Sequence, residues 1–272
     1  MIKVQPHDGL FRVLDDDDSL FLASSLTGGP WNPSHQHGGA VAGLLTRAMN
    51  NIESPVPMRL SRITVEMFRG VPVSTLRIET RVLRAGRRIQ SVEANLFDTE
   101  SKVQVARATG LRIRLESGLA QLATIESIDP RLGAPPTTLP PRSTTEGFAN
   151  PDGFINAAEF SHDEEPEEGE PSNLWARLKC RLMENEPLEP IVQLATLADF
   201  ASGTGNHLDY AKYSSINPDL SIHVIREPRT DWIGFRGISR RAEDGIGQSI
   251  ATLHDLEGPI ATVQACLLLD KR

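Results

Sequence analysis

The second half of this 272-residue chain repeats the first, and the repeat limits the folds open to it. The first half reads as a helix over His37–Asn51, then strands over Leu60–Phe68, Leu76–Leu83, Ile89–Asp98 and Lys102–Leu115. The second reads as a helix over Leu188–Ser202, then strands over Asp219–Arg226, Trp232–Ser239, Gln248–Asp255 and Pro259–Leu269. The turns repeat too: Arg84-Ala-Gly-Arg-Arg88 answers Arg241-Ala-Glu-Asp-Gly245, and Asp98-Thr-Glu100 answers Asp255-Leu-Glu257. A helix followed by an antiparallel meander, written twice, suggests a sheet wrapped around each helix. Each unit leaves apolar surface uncovered, so the two must pack together.

The stretch Ser117–Ser172 separates the units. Ala134-Pro-Pro136, Pro140-Pro-Arg142 and Glu164–Pro171 are rich in proline and acid, unfavourable to helix or central strand. The expected division is a first unit over 1–116, a linker over 117–150 and a second unit over 151–272. Gly153–Phe160 fits the first strand of the second unit. Asn173–Leu182 fits its partner, alternating Leu174, Ala176, Leu178 and Cys180 with Trp175, Arg177, Lys179 and Arg181.

The helices are unusual for surface elements. From Ile191 to Gly205 the only charged residue is Asp199, and the first helix sets Val41, Ala42, Leu44, Leu45, Ala48 and Met49 among glycines. Apolar residues all round mean a helix enclosed on all sides. A helix enclosed by a curved antiparallel sheet is the hotdog arrangement. The expected class is therefore α+β, a double hotdog, with two antiparallel sheets each wrapped around a buried helix and joined side by side.

Charge narrows the partners. A formal net charge of -8 argues against broad nucleic-acid binding, although much of the excess is local, in Asp15–Asp18 and Asp163–Glu170, which read as solvated loops. The two cysteines, Cys180 and Cys266, are too few for a disulfide framework and read as buried thiols in a reducing compartment. No secretory signal or membrane-length apolar run is visible, so a cytoplasmic location is the default expectation. Exposed sheet edges suggest a homodimer or higher homo-oligomer. Aromatic residues make up 5%, which offers no clear stacking platform for an acyl group.

Four places could carry chemistry. Asp199 sits on an apolar helix with Ile191, Val192 and Ala195, where a carboxylate is costly unless paired. It functions there, or it bonds the amides of residues 202–205 at its own helix end. Gln264 lies in Ile260–Leu269 on a face with Thr262, Cys266 and Leu268, and its amide needs partners whether it serves a ligand or the sheet. Asn217 precedes Pro218, a turn signal at a strand start, and His223 beyond it reads as a sheet residue. His37-Gly-Gly39 opens the first helix after Gly29-Pro-Trp-Asn-Pro33. Bare amides at a helix start can hold an oxyanion, with Ala40 completing the turn, and glycine also serves close helix packing. Arg84, Arg87 and Arg88 read as solvated turn residues that could meet a nucleotide phosphate. No metal-ligand spacing, glycine-rich phosphate loop or Gly-x-Ser-x-Gly elbow is present, so neither metal nor cofactor is expected.

Together these pieces resemble the acyl-CoA thioesterase II (TesB-like) family of double-hotdog proteins. The carriers are His37–Leu45, Arg62–Pro72, Arg81–Arg88, Leu197–Gly203, Asn217–Pro228 and Val263-Gln-Ala265. The resemblance implies acyl-CoA as substrate and a role in lipid metabolism. It implies an Asp on the second buried helix, a Ser or Thr at a strand start and a Gln on the last strand that hold and activate a water. Those positions fall on Asp199, Asn217 and Gln264, and Gly38-Gly39 would bind the thioester oxygen. Asn217 departs from the family's frequent hydroxyl: it can bond a water but cannot relay a proton. Between Asp18 and Glu53 there is no carboxylate, so the first helix has no counterpart of Asp199 and a chain carries at most one complete site. Two other functions stay open. A hotdog enoyl-CoA hydratase uses an Asp–His pair near an Asn-Pro turn, and a non-catalytic acyl-CoA-binding protein would keep the fold without turnover.

Overall fold

The repeat becomes a single sheet in the computed structural model, which describes residues 9–15, 17–124, 132, 150, 152–161, 167 and 169–272. In the first half β1 (Gly9–Leu14) and β2 (Asp17–Ala23) precede α1 (Gly38–Asn50). The meander then runs β3 (Met58–Met67), β4 (Thr75–Arg84), β5 (Ile89–Asp98) and β6 (Gln104–Arg114). In the second half come β7 (Ala158–Ser161), β8 (Ser172–Leu178), β9 (Arg181–Met183), α2 (Pro190–Ala198) and β10 (Tyr213–Ile216). The second meander is β11 (Asp219–Val224), β12 (Ile233–Arg241), β13 (Ile246–Asp255) and β14 (Gly258–Lys271).

The order β7-β8-β12-β13-β14-β11-β3-β6-β5-β4-β2-β1-β9 shows the duplication directly, because β11 and β3 start the two meanders and sit side by side at the centre. They pair antiparallel, from Asp219 opposite Glu66 to His223 opposite Arg62. The halves are further tied by β9, which leaves the second unit to pair parallel with β1. This is the α+β double hotdog.

Strand alternation fixes the two faces. Leu220, Ile222 and Val224 of β11, with Leu60, Ile63 and Val65 of β3, point inward onto the helices and are buried. The helices meet each other as well as the sheet. A Cβ on Gly39 would stand 2.4 Å from the Thr196 carbonyl oxygen, and one on Gly43 2.1 Å from Thr196 Oγ1. Glycine at these two positions, one helical turn apart, is what lets the backbones approach. Ala40–Leu45 and Ile191–Ala198 are all buried, so the enclosed helices expected from composition are present. Each large aliphatic side chain so placed contributes about 1.5–3 kcal/mol.

Several local expectations need correction. Asp15, Asp17 and Asp18 belong to the β1–β2 hairpin instead of an isolated loop: Asp15 turns with φ 55° and Asp17 already opens β2. The segment 153–160 begins as a short 3-10 turn, Phe154–Ala157, before β7. The strand expected over 173–182 is two strands, β8 and β9. Cys266 is exposed and Cys180 half-buried, so neither is a buried thiol. Most of the linker 117–150 and of the acidic run 163–170 lies outside the described residues. Among the described residues no helix is long and apolar enough to cross a membrane.

Candidate active site

Asp199 is carried by the change in helix type at the end of α2. The helix tightens into a 3-10 turn over Asp199–Ser202, and its last residues aim the carboxylate across to the start of α1 instead of back onto amides 202–205. The carboxylate is 2% exposed. Its Oδ2 lies 2.8 Å from His37 Nδ1, and its Oδ1 accepts from Asn217 Nδ2 at 2.6 Å. A ring nitrogen that close to a carboxylate oxygen must carry the proton between them. Nδ1 then has no lone pair for the Gly39 amide 3.1 Å away, and that N–H serves Asp199 instead. Three donors thus converge on one buried acid at the positive end of α1.

The balance leaves the acid ionised. Burial alone raises a carboxyl pKa, but the His37 ring and the Asn217 and Gly39 donors outweigh it and hold Asp199 below its ordinary value. Gly38 completes the contact: a Cβ there would stand 2.8 Å from Asp199 Oδ2. Only glycine allows the helix start to sit on the carboxylate.

The pair opens into a cavity of about 1130 Å³ lined by the loop 29–38, the segment 67–71 and the chain from Asp199 to Pro218. His37, Gly38, Asp199 and Asn217 all reach its wall. The helix start offers less to an oxyanion than His37-Gly-Gly suggested. The Gly39 N–H is engaged with Asp199, and the Ala40 N–H donates to the His37 carbonyl at 3.1 Å. The Gly38 N–H is the amide of this turn that has no partner among the described residues, and Gly38 lines the cavity.

Other expected residues fall elsewhere. Gln264 stands on the outer face of the sheet, exposed, opposite Ser221 on β11 and Ile250 on β13. It does not line the cavity, and the buried face of β14 belongs to its neighbours Val263 and Ala265. Arg84, Arg87 and Arg88 are exposed in the β4–β5 hairpin and also lie off the cavity. Asn217 is at the site, but its amide holds the Asp199 carboxylate. His223 is on the outer face, as a sheet residue.

The fold also gathers aromatic rings that composition hid. His37 stacks on Phe154 at 4.5 Å, Phe154 on Phe200 at 5.5 Å, and Phe160 meets Phe200 edge-on at 4.9 Å. Trp31 also meets Tyr210 at 5.5 Å, and both line the cavity. Burial pushes the Tyr210 hydroxyl up to about 12, so it stays protonated. Gly29-Pro-Trp-Asn-Pro33 was a visible sign of the first ring; nothing local marks Tyr210. Among the described residues no group of three His, Cys, Asp or Glu is placed to hold a metal.

Comparison with known proteins matches two family models in order along the chain: an acyl-CoA thioesterase N-terminal domain over residues 27–113 and an acyl-CoA thioesterase C-terminal domain over residues 134–268. None of the curated proteins matches. Among solved structures, a proposed thioesterase of Novosphingobium aromaticivorans is 21% identical with a TM-score of 0.75, covering 98% of this chain and 100% of that one. A hot-dog-fold protein of Alicyclobacillus acidocaldarius is 15% identical at TM-score 0.71, over 93% of this chain and 94% of that one. The acyl-CoA thioesterase II TesB2 of Mycobacterium marinum is 15% identical at TM-score 0.68, over 96% and 95%. At these identities the structures speak to the fold alone.

Proposed function

The chain belongs to the acyl-CoA thioesterase family and is a thioester hydrolase, and from that premise we propose that it cleaves acyl-CoA with Asp199 as general base. The observation that carries this reading is the ionised, 2% exposed carboxylate on the wall of a large cavity. Asp199 takes a proton from a water as the water oxygen attacks the thioester carbonyl carbon. The oxyanion forms against the Gly38 N–H at the positive end of α1. Collapse breaks the carbon–sulfur bond, and the proton passes from Asp199 to the departing thiolate. His37 and Asn217 hold the two carboxylate oxygens in place at the cavity wall. The loss of a hydroxyl at position 217 is tolerable in this scheme, because the residue positions the base and need not relay a proton.

The test is thiol release across an acyl-CoA panel, with Asp199→Asn alongside. The variant keeps shape and removes the base, so turnover should fall by roughly 10²–10⁴-fold while acyl-CoA still binds. Unchanged turnover in Asp199→Asn would sink the assignment. Wild type that binds acyl-CoA without releasing thiol would make the chain a binding protein.

A second reading rests on the contact between His37 and Asp199 beside Asn217-Pro218. An acid–base pair of that kind could add water across a conjugated double bond. Loss of the crotonyl-CoA ultraviolet band without thiol release would favour it.

A further inference from the structure

We propose that the Trp31–Tyr210 end of the cavity is a subsite for the phosphoadenosine half of coenzyme A, with Arg69 on its phosphates. The inference rests on the thioesterase reading and adds which end of the cavity takes which part of the substrate.

Charge is the first argument. The protein carries 36 acidic against 28 basic residues, yet Asp199 is the one carboxylate among the described residues that line the cavity. Arg69 lines it as well, exposed, on the segment between β3 and β4. It makes no ion pair or side-chain hydrogen bond with any described residue, whereas Arg47, Arg77, Arg81, Arg107, Arg177, Arg226 and Arg229 each engage an acid. An acidic chain that keeps acids off one wall and leaves an arginine on it favours an anionic ligand there.

The rings are the second. Trp31 and Tyr210 meet at 5.5 Å, and the Arg272 guanidinium stands 5.7 Å from the Trp31 ring centre while donating to the Tyr210 carbonyl at 2.8 Å. Arg272 covers one face of the indole, and a purine stacked against this aromatic group would bring its phosphates toward Arg69, the guanidinium that lines the cavity.

The other end excludes that occupant. Ile155, Phe160, Leu174 and Phe200 line the cavity next to Asp199 with no charged side chain among them. That wall suits the acyl chain. The thioester then lies between the two ends, at Asp199 and Gly38. Arg84, Arg87 and Arg88 have no part in this arrangement.

The experiment compares an acyl-CoA with the matching acyl-N-acetylcysteamine thioester, which lacks the phosphoadenosine half. Arg69→Glu should raise KM for acyl-CoA by about tenfold or more with kcat nearly unchanged, and leave the truncated thioester unaffected. Trp31→Ala should act in the same sense, and the Arg84→Glu, Arg87→Glu, Arg88→Glu triple variant should do nothing. Equal kinetics for Arg69→Glu and wild type on acyl-CoA would overturn the subsite and leave the hydrolase intact. Equal losses on both thioesters would overturn it too, since the residue would then be structural. If neither thioester is cleaved by wild type, the thioesterase reading fails by itself. Calorimetric binding of acyl-CoA to wild type and Arg69→Glu then decides the subsite: weaker binding by the variant supports it, and equal binding overturns it.

Discussion

The two halves place the same elements in the same order but finish them differently. At the C-terminal end of α1, Arg112 of β6 reaches under the helix, buried, and donates to the carbonyls of Met49, Asn50 and Ile52. A cation on the negative end of a helix, spending its donors on orphaned carbonyls, closes that end. Nothing in it is left for chemistry. At the matching end of α2 the chain tightens instead, and the residue that follows the helix is Asp199. One helix end is sealed by an arginine from the sheet; the other delivers a carboxylate to the neighbouring helix. A duplicated fold thus yields one site, because the first half supplies the helix start and the second the acid.

The strand ends repeat the contrast with a larger expected effect. Asp98 ends β5 and Asp255 ends β13, each as the first residue of the repeated turn. Asp255 is fully buried and takes both Arg226 guanidinium nitrogens, at 2.7 and 2.6 Å, with the Arg229 and Glu257 amides. Asp98 has no cation among the described residues; it accepts from the Ser101 amide and hydroxyl and from Ser74. Asp255→Ala strands a buried guanidinium and should cost about 3–5 kcal/mol in urea unfolding. Asp98→Ala leaves only neutral donors without their acceptor and should cost about 1–2 kcal/mol. Equal costs would break the contrast. Acidity should separate them further. Burial opposes ionisation of Asp255, but Arg226 and the two amides overcome it, while the Ser101 hydroxyl leads in lowering Asp98. A depressed folded-state pKa contributes stability that is present above the unfolded value and is lost as pH falls through the folded one. Acid unfolding should therefore set in below the usual carboxylate range, and Asp255→Asn should flatten the stability–pH curve there.

The glycines of α1 sharpen the division of labour. Gly38 and Gly43 both exclude a Cβ, for different reasons. At Gly38 the obstacle is Asp199 Oδ2, at 2.8 Å; at Gly43 it is Thr196 Oγ1, at 2.1 Å. Gly38→Ala should leave the thermal midpoint nearly in place while turnover falls about a hundredfold, because the carboxylate must shift from its working position. Gly43→Ala should lower the midpoint and spare turnover per folded molecule, since it wedges the helices apart away from the cavity. The reverse pattern would mean that Gly38 packs the helices and that Asp199 is not the working acid.

Much of this was legible in the chain. Strand periods survived because β3–β6 and β11–β14 bury one face and wet the other, and Ile89–Asp98 came out with its true ends. The enclosed helices were readable because almost no charge interrupts them. The β1–β2 hairpin was hidden by its acidic turn, where a charge run outweighed the short apolar run of Leu10, Phe11, Val13 and Leu14. The contact between His37 and Asp199 could not be read, since it joins residues from opposite halves of the chain. Their meeting depends on glycine contacts between the helices, and sequence spacing carries no information about it. The arginines at 84, 87 and 88 were suggested by their clustering in one turn, whereas Arg69 stands alone in its segment.

Gln264 tests the limit of periodicity itself, with the smallest expected effect. A period of two groups Thr262, Gln264, Cys266 and Leu268 on one face but does not say which face is inward. Apolar Leu268 made that face resemble the core, yet Leu268 is 56% exposed and its cross-strand neighbour Ile246 is 63% exposed. The inner face belongs to Ala261, Val263, Ala265 and Leu267, which are buried. From the outer face the Gln264 amide cannot orient a water at Asp199. Gln264→Ala should therefore leave kcat/KM within about twofold and the unfolding free energy within about 0.5 kcal/mol, as for other surface changes. A tenfold loss of turnover with unchanged stability would put the glutamine at the reacting water. That would require β14 to present its other face to the site, a one-residue slip against β11 and β13. Such a slip would turn Val263 and Ala265 out to solvent, and the stability measurement on the wild type's inner-face variant Val263→Ala would then show almost no cost. With the register as it stands, that substitution opens a void over the helices and should cost well above 1 kcal/mol.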